Sequence, residues 1–388
     1  MERVTLQRIF QRHYPAYRER HVLPRYLIAA ADAIMNCRTS AMGRHVWKCA
    51  QGHIVDVWYN SCKHRSCPQC AHIQMERWLE LQTSKLLACA HFHVIFTIPE
   101  ALNALWAYNA RAMADIFFHA VRDTLFEMLA NPKHLGARAG LLAALQTWGR
   151  DLSRHPHMHC LVPAGGLGED GRWIALRNPK FLLPGMAVAA LFRGKFLAMM
   201  RDALEECALH LPPGMGEQQV SNLLNRLGRD RWHVHVCEPY SHGEGVVKYL
   251  ARYIKGGPIA NGRLTSDDGD AITFSCKDTR DGKTRLICLA PEDFLSRILQ
   301  HVPPPGLRCF RAYGIYYRGN RHLLDISRAH FGQGPVRDPE FLPFEQFLAR
   351  KGAAKDFTCP ECGGPAVTVE AHYRGRARGI PEPRRQAA

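Results

Sequence analysis

Three histidines in five positions, His155-Pro156-His157-Met158-His159, carry the densest chemical signal in the sequence. The run continues as Cys160-Leu161-Val162-Pro163 and closes on Ala164-Gly165-Gly166, which reads as a β-strand ended by a turn. Alternate side chains of a strand share a face, so His157 and His159 point the same way about 6–7 Å apart. Two imidazoles so placed can close on one divalent metal, while Met158 turns into the core. A histidine pair of this kind is also what a solvated or hydrogen-bonded strand edge would show, and a second stretch shifts the balance. Val246 to Ile254 reads as a short helix, with Gly256-Gly257 just past its end. Tyr249 and Tyr253 stand four residues apart and so share one helix face, about 5–6 Å apart at Cβ. Lys248, Arg252 and Lys255 lie beside them, where they could bind phosphates. An aromatic pair alone is ordinary core packing; with the histidine strand it suggests a metal site served by two phenol nucleophiles.

A separate chemistry resides in the cysteines. The chain has fourteen, with no secretory leader pattern at Met1-Glu2-Arg3-Val4, so free thiols and metal are expected rather than disulfides. Cys67-Pro68-Gln69-Cys70 is a tight knuckle with Cys62 shortly before it, and Cys49-Ala50-Gln51-Gly52-His53 can form another. Two such pairs suit tetrahedral Zn2+, and the expected ligands are Cys49, His53, Cys67 and Cys70, with Cys62 the rival to His53. Cys37, His45, His64 and His72 leave room for a second ion. Cys359-Pro360-Glu361-Cys362 stands alone, without a visible second pair, and is not expected to hold zinc. Arg44, Lys48, Lys63, His64 and Arg65 give the module a basic rim that suits phosphate.

The elements that must position these groups alternate between helix and strand. Residues 1–36 read as two helices that cap the neighbouring module, and residues 74–89 as a connecting helix. His91 to Pro99 reads as a strand beside the histidine strand, with His91 and His93 on one face as structural groups or further ligands. Residues 101–130 read as helix, residues 186–211 as an amphipathic helix, and Trp232 to Cys237 as a strand leading into the tyrosine helix, while Leu141 to Trp148 fits helix or strand by period and is taken as a strand because the histidine strand needs a partner. Beyond residue 262 the pattern suggests a hairpin around Asp281-Gly282, a helix over 294–299, and a basic tail from Tyr373. The layout is α+β. With 388 residues and 46% hydrophobic content the chain can build packed cores, and its formal net charge of +16 favours a nucleic-acid partner. No apolar run of about 18 residues is present, so no membrane span is expected. The expected location is cytoplasmic and nucleoid-associated.

His157-Met158-His159 followed by Tyr249-x-x-x-Tyr253 resembles the HUH (His-hydrophobe-His) endonucleases. The similarity is greatest to the two-tyrosine transposases of rolling-circle-type bacterial insertion sequences. Tyr59-Asn60-Ser61-Cys62, Cys67-Pro68-Gln69-Cys70, Phe92 to Pro99, Leu191 to Leu197 and Leu299 to Pro303 resemble the same family in the same order. The resemblance implies an antiparallel palm-like sheet backed by helices and preceded by a zinc module, whose basic rim suggests that it recognises element ends. It implies cleavage of single-stranded DNA by Tyr249 and Tyr253 through a 5′-phosphotyrosine, with Mg2+ or Mn2+ on His157 and His159. The expected division is a helical segment over 1–36, a zinc module over 37–73, a catalytic domain over 74–264, an accessory region over 265–350, and a basic tail with the lone knuckle over 351–388. Two other functions stay open: a plasmid replication initiator or relaxase with the same chemistry, and a non-catalytic zinc-ribbon DNA-binding protein.

Overall fold

The structure is a computed structural model that describes residues 3–241, 245, 247, 256–278, 281–342, 344–350 and 358–372. Its centre is a five-stranded sheet built from β3 (His91–Thr97), β4 (Gly140–Trp148), β5 (Arg154–Pro163), β8 (Val234–Val236) and β12 (Phe310–Gly314). The spatial order is β12-β4-β5-β3-β8, and every pairing is antiparallel. The histidine strand β5 is the middle strand, so both its edges are paired and only its two faces remain to be covered.

The two faces carry different residues because side chains alternate. Phe92, Val94 and Phe96 of β3, Leu141, Ala143 and Leu145 of β4, and Met158, Cys160 and Val162 of β5 are buried in one core. Two long helices cover that face, α4 (Asn103–Ala130) and α5 (Gly185–Glu205), through Phe117, Val121, Leu125, Phe192 and Phe196. Each such side chain stabilises the fold by about 1.5–3 kcal/mol through burial. The helix α6 (Glu217–Leu227), for which the sequence reading had no counterpart, adds Val220, Leu224 and Leu227 to this core. On the opposite face Leu142, Ala144 and Leu161 pack with Leu86, Leu87, Ile315, Tyr316, Leu324 and Val336. Leu324 belongs to α8 (Arg321–His330), so the second layer is drawn largely from chain beyond residue 310.

A second body surrounds the cysteines. Helices α1 (Leu6–Arg20) and α2 (Arg25–Asn36) bury Leu6, Ile9, Phe10, Tyr14 and Ile34. They share one core with Cys37, Cys67 and Cys70, with Phe274 of a three-stranded sheet, and with Phe294 and Ile298 of α7 (Pro291–Leu299). That sheet is β9 (Leu264–Asp267), β10 (Ile272–Lys277) and β11 (Thr284–Leu289), in the order β11-β10-β9. The N-terminal helices are thus fixed by residues far along the chain: His13 Nε2 meets Asp267 Oδ1 at 2.9 Å, and the Leu6 amide donates to Asn261 Oδ1 at 3.0 Å. Next to this body, β1 (Arg44–Cys49) and β2 (Ile54–Tyr59) form a hairpin, joined along β1 by β13 (Ala366–His372). Among the described residues no helix is long and apolar enough to cross a membrane.

Candidate functional site

The register of the central sheet assembles a polar patch on the face away from α4 and α5. His157 lies opposite Thr97 and Gln146, and His159 lies opposite Ile95 and Ala144. His93 is opposite Leu161, and His235 is opposite Ile95, so all share that face. The His157 and His159 rings are 4.8 Å apart between centroids at 76°, as the period-two argument requires. His157 is 9% exposed and His159 is 2% exposed.

Hydrogen bonds fix the protons on these rings. The Gln146 amide nitrogen donates to the Trp148 carbonyl at 2.9 Å, which turns Oε1 of Gln146 toward His159 Nε2 at 3.2 Å. His159 Nε2 therefore donates, its Nδ1 is left to accept, and His93 Nε2 donates to it at 3.0 Å. His157 Nδ1 donates to the His155 carbonyl at 2.6 Å, so its lone pair is on Nε2. Burial pushes His157 down to about 4, and burial with the neighbouring His157 and His93 rings pushes His159 down to about 2. Burial, then His235, brings His93 down to about 4. Three imidazoles are thus neutral at pH 7, the state in which a ring nitrogen can donate a lone pair to a metal. Gln146 was missed in the sequence; its signal was a single amide after the apolar run Leu141 to Leu145 on a strand buried on both faces. His91, on the same strand as His93, is structural: its Nδ1 donates to the Cys89 carbonyl at 2.8 Å and its Nε2 accepts from the Tyr316 hydroxyl at 2.7 Å.

Tyr249, Tyr253, Lys248, Arg252 and Lys255 lie outside the described residues. The described Val247, two positions before Tyr249, is 1% exposed and belongs to the apolar cluster that contains Leu142, Ala144 and Leu161. That cluster covers the same face of the sheet as His157 and His159.

The cysteine ligands sort differently from the expectation. Cys37, Cys62, Cys67 and Cys70 present sulfur atoms that all lie within 4.8 Å of one another. Cys62 and Cys70 are 3.6 Å apart, against about 3.8 Å for the edge of a tetrahedron with Zn–S bonds of about 2.3 Å. The Cys62 amide points at Cys37 Sγ (3.5 Å) and the His64 amide at Cys62 Sγ (3.4 Å), which suits thiolate ligands. Cys49 and His53, expected to join Cys67 and Cys70, do not. They sit at the turn of the β1–β2 hairpin, whereas Cys37 and Cys62 flank its base, where the Arg38 amide meets the Asn60 carbonyl at 3.0 Å. Six-residue strands separate turn from base by roughly 17 Å, too far for one ion. Cys62 is therefore a member of the set, not a rival within it, and Cys37 supplies the fourth sulfur. The expected basic rim is partly engaged within the protein: Lys48 pairs with Glu370 at 2.6 Å, and Arg65 donates to Cys309 Sγ at 3.2 Å.

Comparison with known proteins matches both regions. Residues 140–322, which hold the histidine strand, match a family model described as “Putative transposase”. Residues 9–98, which hold the four-cysteine cluster, match one described as “Transposase zinc-binding domain”. The chain is 36% identical over 321 residues to “Putative transposase y4qJ” of Sinorhizobium fredii, covering 81% of this chain and 80% of that one. It is 32% identical over 360 residues to the transposase for insertion sequence element IS801 of Pseudomonas savastanoi pv. phaseolicola, covering 89% and 83%. No solved structure matches the chain.

Proposed function

The chain belongs to the IS91/IS801 family of transposases, and from that premise we propose that it cuts and rejoins single-stranded DNA at insertion-element ends by tyrosine transesterification. The observation that carries this reading is the pair of buried, neutral histidines on the sheet face that Val247 also packs over, two residues before Tyr249. In this reading Tyr249 and Tyr253 are the nucleophiles, and His157 and His159 hold the catalytic ion.

The donor set suits a divalent cation. Nε2 of His157 carries a lone pair, His159 Nε2 gains one if its proton moves to Nδ1, and the Gln146 amide oxygen is 3.2 Å from His159 Nε2. Adjacent ligands of a six-coordinate ion with bonds of about 2.1 Å are separated by about 3 Å, so Gln146 and His159 can share one ion. Manganese or magnesium there would polarise the scissile phosphate and stabilise its developing charge. His159 Nδ1–H would then donate to His93 Nε2, with the His93 proton moved to its own Nδ1, and this hydrogen bond would orient the ring.

A tyrosine hydroxyl, with an ordinary pKa of about 10, must lose its proton to attack phosphorus. The new bond joins the phenol oxygen to phosphorus, the bond from phosphorus to the 3′ oxygen breaks, and that oxygen leaves as a 3′-hydroxyl carrying a proton. The 5′-phosphotyrosine keeps the energy of the phosphodiester, so a 3′-hydroxyl on another strand can reverse the step without ATP. Two tyrosines allow one to hold an end while the other cuts, with Lys248, Arg252 and Lys255 on the flanking phosphates. The basic excess of the chain supports DNA as the polymer bound.

The test is incubation with end-labelled single-stranded DNA and Mn2+, followed by denaturing electrophoresis. A denaturation-resistant adduct is expected from the natural chain, and none from Tyr249→Phe combined with Tyr253→Phe, which should still bind DNA. Adducts that persist in the double variant would remove the nucleophile assignment.

A further inference from the structure

Four donors outside the four-cysteine cluster come together from opposite ends of the chain. Cys49 and His53 lie at the β1–β2 turn, and Cys359 and Cys362 lie in the segment that leads into β13. One donor atom from each lies within 4.8 Å of every other. Cys49 Sγ and Cys362 Sγ are 3.7 Å apart, and Cys359 Sγ and His53 Nδ1 are 3.8 Å apart. A tetrahedral zinc with bonds of about 2.3 Å to sulfur and about 2.0–2.1 Å to nitrogen has edges of about 3.8 Å and about 3.6 Å. The spacing therefore fits ligands around one ion and is far too long for a disulfide.

The two halves are built alike. In the first, the Cys49 amide donates to the His53 carbonyl at 3.0 Å and the Gly52 amide to the Cys49 carbonyl at 3.0 Å, with Gly52 at φ +86°. In the second, the Cys359 amide donates to the Gly364 carbonyl at 2.8 Å and the Gly363 amide to the Cys359 carbonyl at 2.9 Å, with Gly363 at φ +68°. Each is a knuckle that bends through a glycine in the left-handed region and brings its donor atoms within reach of the other's. A further contact also points to metal: His53 uses Nδ1 toward the cysteines while its Nε2 faces Glu361 Oε2 at 3.6 Å. A carboxylate behind the distal nitrogen is the arrangement that fixes ring orientation and raises basicity in a metal-bound histidine.

We infer that Cys49, His53, Cys359 and Cys362 bind a second zinc ion, which clasps the C-terminal segment onto the N-terminal module. The clasp sits at one end of the β1–β13 pairing, in which Cys49 is opposite Ala366 and Arg44 opposite His372. It thereby sets the register of β13 and brings His372, after which the sequence runs on through Arg374, Arg376 and Arg378, beside the base of the zinc hairpin. The sequence expectation that Cys359 and Cys362 stand alone is overturned by this geometry; their second pair is the one first assigned to the other ion. The inference is independent of the nuclease chemistry.

The experiment is metal analysis of the full chain purified without added chelator, by native mass spectrometry and elemental analysis. Two zinc ions per chain are expected. Cys359→Ser combined with Cys362→Ser should leave one, and His53→Ala, 306 residues from Cys359, should lose the same ion. Cobalt substitution reads the site directly: the natural chain should show both four-sulfur and three-sulfur-one-nitrogen components, and the double serine variant only the former. Cys362→His should restore the second ion relative to Cys362→Ser, which separates ligation from a general folding defect. One zinc in the natural chain, or unchanged zinc in the double serine variant, would overturn the clasp.

Discussion

Gln146 is where the proposed chemistry and the fold make separable demands. Its amide donates to the Trp148 carbonyl and accepts from His159 Nε2, and the residue is 7% exposed. Gln146→Leu keeps the bulk but removes the hydrogen bonds to His159 and to the Trp148 carbonyl, each worth about 0.5–1.5 kcal/mol net. Without metal the variant should therefore unfold at lower urea, with stability reduced by about 1–3 kcal/mol. If the amide oxygen also reaches the catalytic ion, Mn2+ affinity should fall about 10–100-fold, the range for losing a supporting group at a metal site. Gln146→Glu separates the two effects, since a carboxylate still accepts from His159 and is a stronger ligand for Mn2+ or Mg2+. It should retain or tighten the metal dependence that Gln146→Leu loses. The assay is the Mn2+ concentration giving half-maximal adduct formation with single-stranded DNA, measured beside urea unfolding in chelator. If all three chains share one metal dependence while only stability changes, Gln146 is a core hydrogen-bonding group and the ligand reasoning is wrong.

Two further outcomes test the packing. His301 is buried, its Nε2 donating to the Leu152 carbonyl at 3.0 Å and its Nδ1 facing the Thr147 hydroxyl at 3.2 Å, and burial pushes it down to about 4. Below its unfolded pKa of about 6.5 the unfolded chain takes a proton that the folded chain refuses. Stability is thus full above that value and lost as pH falls toward 4, about 2 kcal/mol by pH 5. His301→Gln should remove that share of the pH 7 to pH 5 difference in urea unfolding; an unchanged difference would contradict the depressed pKa. Phe192 is fully buried, with ring centroids 5.0 Å from Phe96, 5.6 Å from Phe117 and 5.4 Å from Trp232. Phe192→Ala should cost about 3–5 kcal/mol in the same unfolding assay, and a loss below about 1 kcal/mol would mean that the helix layer is not packed on the sheet as described.

The parts of the fold legible in the sequence were those set by short-range signals. β-forming composition marked β3, and alternation along β5 put Met158 on one face and His157 and His159 on the other, because strand direction is a local property; period alone left Leu141 to Trp148 open between helix and strand, and the need for a partner to the histidine strand made it β4. The i,i+4 spacing of Leu6 and Phe10, or Phe192 and Phe196, likewise marked buried helix faces. Cross-strand partners were not legible. Nothing near Gln146 announces that it will stand opposite His157, since register depends on chain more than ten residues away. The zinc ligands failed for a related reason. Pairing knuckles by proximity in sequence ignored the length of the strands between them, and six extended residues carry Cys49 away from Cys67.

The central sheet also explains why histidines at these positions do not simply destabilise the fold. Buried polar groups are tolerated when each finds a partner. Here β5 lies between two strands that supply those partners from their own same-face positions: Gln146 from β4 and His93 from β3. An edge strand would have had one such neighbour and would have left one nitrogen of His159 to water. Placing His159 in the middle strand fixes its ring from both sides, while the His157 ring is held by the His155 carbonyl of its own strand and burial keeps both neutral. A hydrophobic partner at position 146 would pack against the ring but would offer its N–H no acceptor. In the proposed mechanism the amide at 146 is therefore the group that would let a buried strand centre double as a metal site.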